Sequence, residues 1–365
     1  MASQPNITKG TCHVTFAFDI GQAVRLDAVA EALRGQASRL EILDRRRAPS
    51  HHRIEPAPIL VRRAMEPVEV GGFRSEPEAM LAVYDFAGLT VGFTFALSGP
   101  LESLVRLSDA LYENLALGEQ ARMLAKDLLQ AVRTAVTRPG LAEVMEDYCI
   151  YQLATLEPPL LPEALLADHG GTIARILRAE QGPLSEGERR DAMESRLSYR
   201  PDDLLIIDWN AALALDRDIE SSVAVLTFAN LELLELRVLD ARLDDLLDEA
   251  YDTVSNPGWR AAVGMGASAS HVRRIAHLQV DAAVLYEQVN NAIKLLGDQF
   301  LARVYRVASR RFHIGEWDTS ILRKLSTVEQ IYAKVNDGQA ARRMEYLEWI
   351  IILLIAVEVV MSLLR

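Results

Sequence analysis

Between Thr11 and Ile20 the chain reads TCHVTFAFDI. Cys12, Val14, Phe16 and Phe18 alternate with Thr11, His13 and Thr15, and a period of two marks a strand with one face turned to a core. A β-strand is therefore expected at the start of the chain, with a helix over 25–33 after it. Two further apolar runs, 80–86 and 89–97, flank Ala87-Gly88 and predict a hairpin. Helical patterns from Leu101 to Thr137 stop at Pro139-Gly140. Strand patterns return at 146–156 and 203–215, on either side of a helical stretch. The mixture gives an α+β fold ending near residue 216.

Beyond that point every pattern is helical. Leu226, Ala229, Leu233, Leu236, Asp240, Leu243, Leu247 and Ala250 step by alternating threes and fours, a heptad-like stripe with one polar interruption. Pro257-Gly258 breaks it. A second long helix is expected from His271 to Phe312, with Ile275, Leu278, Leu285, Val289, Ile293 and Leu296 on one face. At about 1.5 Å per residue each helix is roughly 50–60 Å long, and a short connection makes the pair antiparallel. Leu226, Leu233, Leu236, Leu243 and Leu247 are the expected contacts of this hairpin, or of an oligomer. A third helix is expected from Ile321 to Val335. Four segments result: a strand-helix piece with a basic loop (1–74), an α+β domain (75–216), the helical hairpin with its third helix (217–338), and a last helix (339–365).

That last helix contains WIIILLIAVEVVMSLL, Trp349–Leu364, with Glu358 as its only charge. It is apolar all round, which suits a membrane better than a surface-docked helix. Trp349, Ile350, Ile351, Ile352, Leu353, Leu354, Ile355 and Leu364 would be the anchor, and Glu358 would face a helix partner. Arg342 and Arg343 precede it, so the bulk of the chain is expected on the cytoplasmic side. Against this stands its length: sixteen residues span roughly 24 Å, where the hydrocarbon core is about 30 Å thick.

Half of the residues are hydrophobic and the net charge is −12. The core is ample, and wholesale wrapping around nucleic acid is disfavoured because phosphate binding needs surplus Lys and Arg. The two cysteines, Cys12 and Cys149, make neither a disulfide framework nor a zinc cluster, which fits a reducing compartment. The N-terminus lacks the pattern of a secretory signal.

Catalytic motifs are not apparent. The sequence holds no phosphate-cradling GxxxxGK[ST], no HExxH, no GxSxG and no CxxC. Gly264-Met265-Gly266 follows a helix break, where a dinucleotide loop would follow a strand. The acidic run Asp240, Asp244, Asp245, Asp248 and Glu249 suits a solvated helix face, with a carboxylate metal site as the alternative. No histidine has a Glu three positions before it, as bundle di-metal sites want. Glu232, Glu235, Arg237, Lys294 and Asp298 are expected as buried ion pairs fixing the hairpin register. Asp208-Trp209-Asn210 would close a turn with Trp209 in the core. The loop bearing Arg45, Arg46 and Arg47 is a candidate contact for anionic lipid or RNA.

Four stretches in order, DLLIIDWNAAL (Asp203–Leu213), LTFANLELLELRVLD (Leu226–Asp240), NNAIKLLGDQFLARVY (Asn290–Tyr305) and ARRMEYLEWIIILLIAVEVVMSLL (Ala341–Leu364), resemble the required-for-meiotic-nuclear-division family. It includes a yeast sporulation protein and a mitochondrial inner-membrane protein linked to translation of organelle-encoded subunits. The resemblance covers about residues 75–365 and departs over 100–145. It implies a membrane-anchored homo-oligomer with an organising role near ribosomes; the family is not known for catalysis, and no cofactor is expected. The expectation is therefore a non-enzymatic, oligomeric, membrane-bound scaffold. The alternative is a metal-dependent hydrolase using the acidic helices.

Overall fold

The alternating segment Asn6–Asp19 forms β1, and a sheet grows from both of its edges. The computed structural model describes residues 4–39, 56–255, 299–331 and 333. Eight further strands join β1: β2 (Ala37–Arg39), β3 (Ile59–Ala64), β4 (Glu78–Val83), β5 (Gly88–Pro100), β6 (Met145–Glu157), β7 (Arg196–Leu197), β8 (Leu204–Ile207) and β9 (Ala211–Leu215). Their order is β7-β8-β9-β6-β1-β5-β4-β3-β2. Neighbours run antiparallel except β6 and β9, which are parallel in register Cys149↔Ala211 to Leu153↔Leu215.

The helices are α1 (Leu26–Ala32), α2 (Ser103–Leu111), α3 (Leu115–Val132), α4 (Pro162–Arg178), α5 (Glu186–Ala192), α6 (Glu220–Ser255) and α7 (Gln299–Arg311), with α8 over 314–331. One sheet face carries Cys12, Val14, Phe16 and Phe18, which share a core with residues of α2, α3 and α4. Phe16 meets Phe93 of β5 edge to face at 6.0 Å. The other face carries Thr11, His13, Thr15 and Ala17 and lies toward α6 and α7. There Phe228 of α6 packs on Tyr84 and Phe86, and Phe312 packs on Tyr148 of β6. Because both faces are covered, β8 and β9 are apolar and buried at every position.

A short pairing of Glu69–Val70 with Phe73–Arg74 closes over Gly71-Gly72. Gly71 has φ +58, and a Cβ there would lie 2.8 Å from the Leu107 Cα in α2. The Arg106 side chain also donates to the Gly71 carbonyl at 3.1 Å. Gly71→Ala is expected to reduce stability by about 1–3 kcal/mol through backbone strain and overpacking. An unshifted urea midpoint would contradict that.

The chain divides into two units, Met1–Val238 with Val284–Trp317, and Leu239–Ala283 with Asp318–Arg365. The first holds the whole sheet. In the second, the described residues are the end of α6 and most of α8, where the Lys324 ammonium pairs with Asp240 at 2.7 Å and with Asp244 at 2.6 Å.

The expected fold needs correction in two places. The long antiparallel hairpin does not emerge: the described part of its second arm is α7, whose Phe300, with Phe312 just past its end, packs against Tyr199 and Tyr148 of the sheet region. Residues 256–298, which would complete that arm, lie outside the described residues. The single-pass membrane protein with a tail anchor is likewise corrected. Among the described residues no helix is long and apolar enough to cross a membrane. The longest, α6, carries Glu232, Glu235, Arg237, Asp240, Arg242 and Asp244 within four turns, and burying such charges in hydrocarbon is expensive. Trp349, Ile350, Ile351, Ile352, Leu353, Leu354, Ile355, Glu358 and Leu364 lie outside the described residues.

Candidate functional site

Asp208 directly follows the apolar strand β8, and the turn Asp208-Trp209-Asn210 returns the chain into β9. An acid at the end of a buried strand must find cations or be neutralised. Asp208 is fully buried and has two. Arg311, last residue of α7, places Nε 2.7 Å from Asp208 Oδ1. Arg178, last residue of α4, places Nε 2.7 Å from Oδ2, an ion pair set off the hydrogen-bonding line. Both guanidinium groups sit at helix C-termini, where the helix dipole favours a cation.

Asp191 of α5 closes the cluster. Its Oδ2 accepts from Arg311 Nη2 at 2.7 Å, and it also pairs with Arg178. Glu188 adds a looser contact to Arg178 at 3.6 Å. The backbone is fixed as well: Trp209 N donates to Asp208 Oδ1 at 2.8 Å and Tyr148 Oη donates to the Asp208 carbonyl at 2.8 Å.

The two shared carboxylates respond differently. Burial pushes the Asp208 carboxyl up, with the Trp209 N–H and the arginines pulling against it. Asp191, half in solvent, is held below the usual carboxylate range by its hydrogen bond to Arg311. Exposure explains the contrast, since the same arginines serve both.

Two cations thus face three carboxylates across α4, α5, the β8–β9 turn and α7. The arrangement is a tie between four elements whose charges are answered internally. Trp209 lies over Arg178, ring centroid 6.0 Å from the guanidinium carbon, and is 46 % exposed; the expected core position for it is corrected.

The expected contact residues distribute as follows. Leu226, Leu236 and Leu243 are buried and Leu233 and Leu247 half-buried. Glu232 accepts from the Tyr305 hydroxyl at 2.5 Å, and Arg237 pairs with Glu146 of β6, so these polar groups join α6 to α7 and to the sheet. Among the described residues no three His, Cys, Asp or Glu side chains converge to hold a metal, and Lys324 sits between two of the acids suggested for one. Cys12 and Cys149 are buried, free, and diagonal across β1 and β6; burial raises both thiols, which makes them poor nucleophiles. Arg45, Arg46 and Arg47 lie outside the described residues, as do Lys294 and Asp298.

Sequence reasoning reached the Asp208 turn and missed its partners. Arg178 and Arg311 lie 30 and 103 residues away (208 − 178 and 311 − 208), and no motif spacing connects them. The one available signal was the acid itself, placed directly after four apolar residues.

The fold and site define a mixed-sheet α+β protein locked by an internal ionic tie. The chain belongs to the family of the uncharacterised protein MJ0711, N-terminal domain, whose model matches residues 9–222. That span runs from β1 to the start of α6 and includes Arg178, Asp191 and Asp208. Over 246 residues the chain is 21 % identical to the uncharacterised protein MJ0711 of Methanocaldococcus jannaschii, covering 66 % of this chain and 73 % of that one. No solved structure matches.

Proposed function

We propose that this protein is a non-enzymatic organising scaffold that assembles with copies of itself. The observation that carries the reading is the Asp208 cluster. Its arginines and carboxylates neutralise one another and join four elements, which suits a rigid platform better than a reactive centre. The resemblance to the required-for-meiotic-nuclear-division family supports an organising role near translation. The hydrolase alternative gains nothing from the acidic helix, because the Lys324 ammonium occupies the space between Asp240 and Asp244 that a cation would need.

Light scattering on the full chain tests the reading. A discrete oligomer at micromolar concentration, with no stoichiometric divalent metal by elemental analysis, is the expected result. A stable monomer, or a bound metal lost in Asp244→Asn, would overturn it.

A further inference from the structure

We infer that copies of this chain meet by laying the basic outer face of α7 of one against the acidic later turns of α6 of another, which rests on the assembly reading above and names its contact. The helix α7 reads QFLARVYRVASRR and contains no acidic residue. Its inner face, Leu301, Val304, Tyr305, Val307 and Ala308, is buried. Arg303, Arg306 and Arg310 are exposed on the opposite side. Steps of three and four residues put them in one line that rises about 10 Å along the axis. Among the described residues, the ion pairs of this helix belong to Arg311. The Arg303 guanidinium carbon lies 5.6 Å from the centre of the Phe300 ring, a contact that brings it no anion.

The complementary line stands on α6. Asp245 and Asp248 are exposed, and Asp252 occupies the next position of the same three-and-four step along the helix. The acids therefore repeat the spacing of the arginines. Lys324 answers Asp240 and Asp244, whereas Asp245 and Asp248 enter no ion pair among the described residues. Two arginine lines repel each other, and so do two acidic lines, which leaves α7 on α6 as the favoured pairing. Copies that each carry a net charge of −12 also repel at long range, unless a basic surface of one turns to an acidic surface of the other. A foreign polyanion would satisfy the arginines and leave the acidic line unanswered. A second copy answers both lines, because every chain brings one of each and a closed pair or ring uses all of them. Exposed ion pairs are individually weak. Their mark on the assembly is its salt dependence and its choice of partner.

The test uses the full chain and sedimentation velocity from about 0.1 to about 1 M sodium chloride, across which the screening length shortens from about 10 Å to about 3 Å. The dissociation constant of the oligomer should rise at least tenfold over that range. Two charge-reversed chains supply the decisive comparison. The variant Arg303→Glu, Arg306→Glu, Arg310→Glu makes both lines acidic, and Asp245→Arg, Asp248→Arg makes both basic. At the lower salt each alone should self-associate at least tenfold more weakly than the parent. Mixed in equal amounts, the two should associate as the parent does, since each now complements the other. A substitution that merely damaged the fold would not be rescued by mixing, and circular dichroism checks that both remain folded. An oligomer indifferent to salt and to both reversals overturns this contact and leaves the assembly reading standing, as does a loss in both variants that mixing fails to restore. A parent that stays monomeric at every salt concentration overturns the two together.

Discussion

Asp208→Asn is expected to destabilise the fold by about 3–5 kcal/mol, the range for breaking one side of a buried ion pair. The substitution keeps the shape and removes the charge. Arg178 and Arg311, each with a side chain only 15 % exposed, would then face one another with Asp191 and, more loosely, Glu188 as the remaining anions. At roughly 2–4 °C per kcal/mol for a domain of this size, the thermal midpoint should drop by roughly 6–20 °C. Asp191→Asn is the comparison. That carboxylate is 47 % exposed, and water can replace much of its share, so its loss should stay near 1 kcal/mol. Equal melting of Asp208→Asn and parent would mean that the tie contributes nothing to the fold.

A second large effect should appear on acidification. His13 lies on the threonine-bearing face of β1, with Thr94 and Ile150 opposite it and Thr11 and Thr15 along its own strand. None of these four neighbours carries a charge, and burial lowers the imidazole pKa to about 4. The unfolded chain, with the ordinary value near 6.5, then binds a proton that the folded chain refuses. Stability contributed by the neutral ring is full above about 6.5 and drains away as the pH falls toward 4. Allowing for the part of the ring that still meets water, about 2 kcal/mol should be lost across that window. Carboxylates titrate in the same range, so the decisive comparison is His13→Gln, measured by urea unfolding at several pH values. The parent should lose more stability than the variant between pH 6.5 and 4. Parallel curves for the two would remove the account.

Much of the sheet was legible because its strands carry local signals. The alternation around Cys12–Phe18 marks β1, the Ala87-Gly88 break marks the β4–β5 hairpin, and Pro139-Gly140 separates the helical stretch from β6. Ala87 indeed takes φ +70 at that turn. Two kinds of information were not local. The pairing of β6 with β9 joins segments some sixty residues apart, and parallel strands leave no turn signature between them. The partners of Asp208 come from α4, α5 and α7, and an ion pair imposes no spacing on the sequence. The heptad stripe of α6 misled for a related reason. A helix buried on nearly every side between Val225 and Leu239 shows the same leucine spacing whether its cover is a second helix or a sheet, and here Leu231 approaches Gly88 of β5.

The parallel join of β6 to β9 also decides where this polypeptide tolerates shortening. Everything from Pro158 to Asn210 is a detour between two adjacent rails of the same sheet. A product ending anywhere in that detour would present the thirteen-residue β6 with one row of amide and carbonyl groups bare, and long bare edges recruit other chains. Chains terminated within the detour should therefore clump; reaching past Leu215 closes the seam, and α6 and α7 are still needed to cover the second face of the sheet.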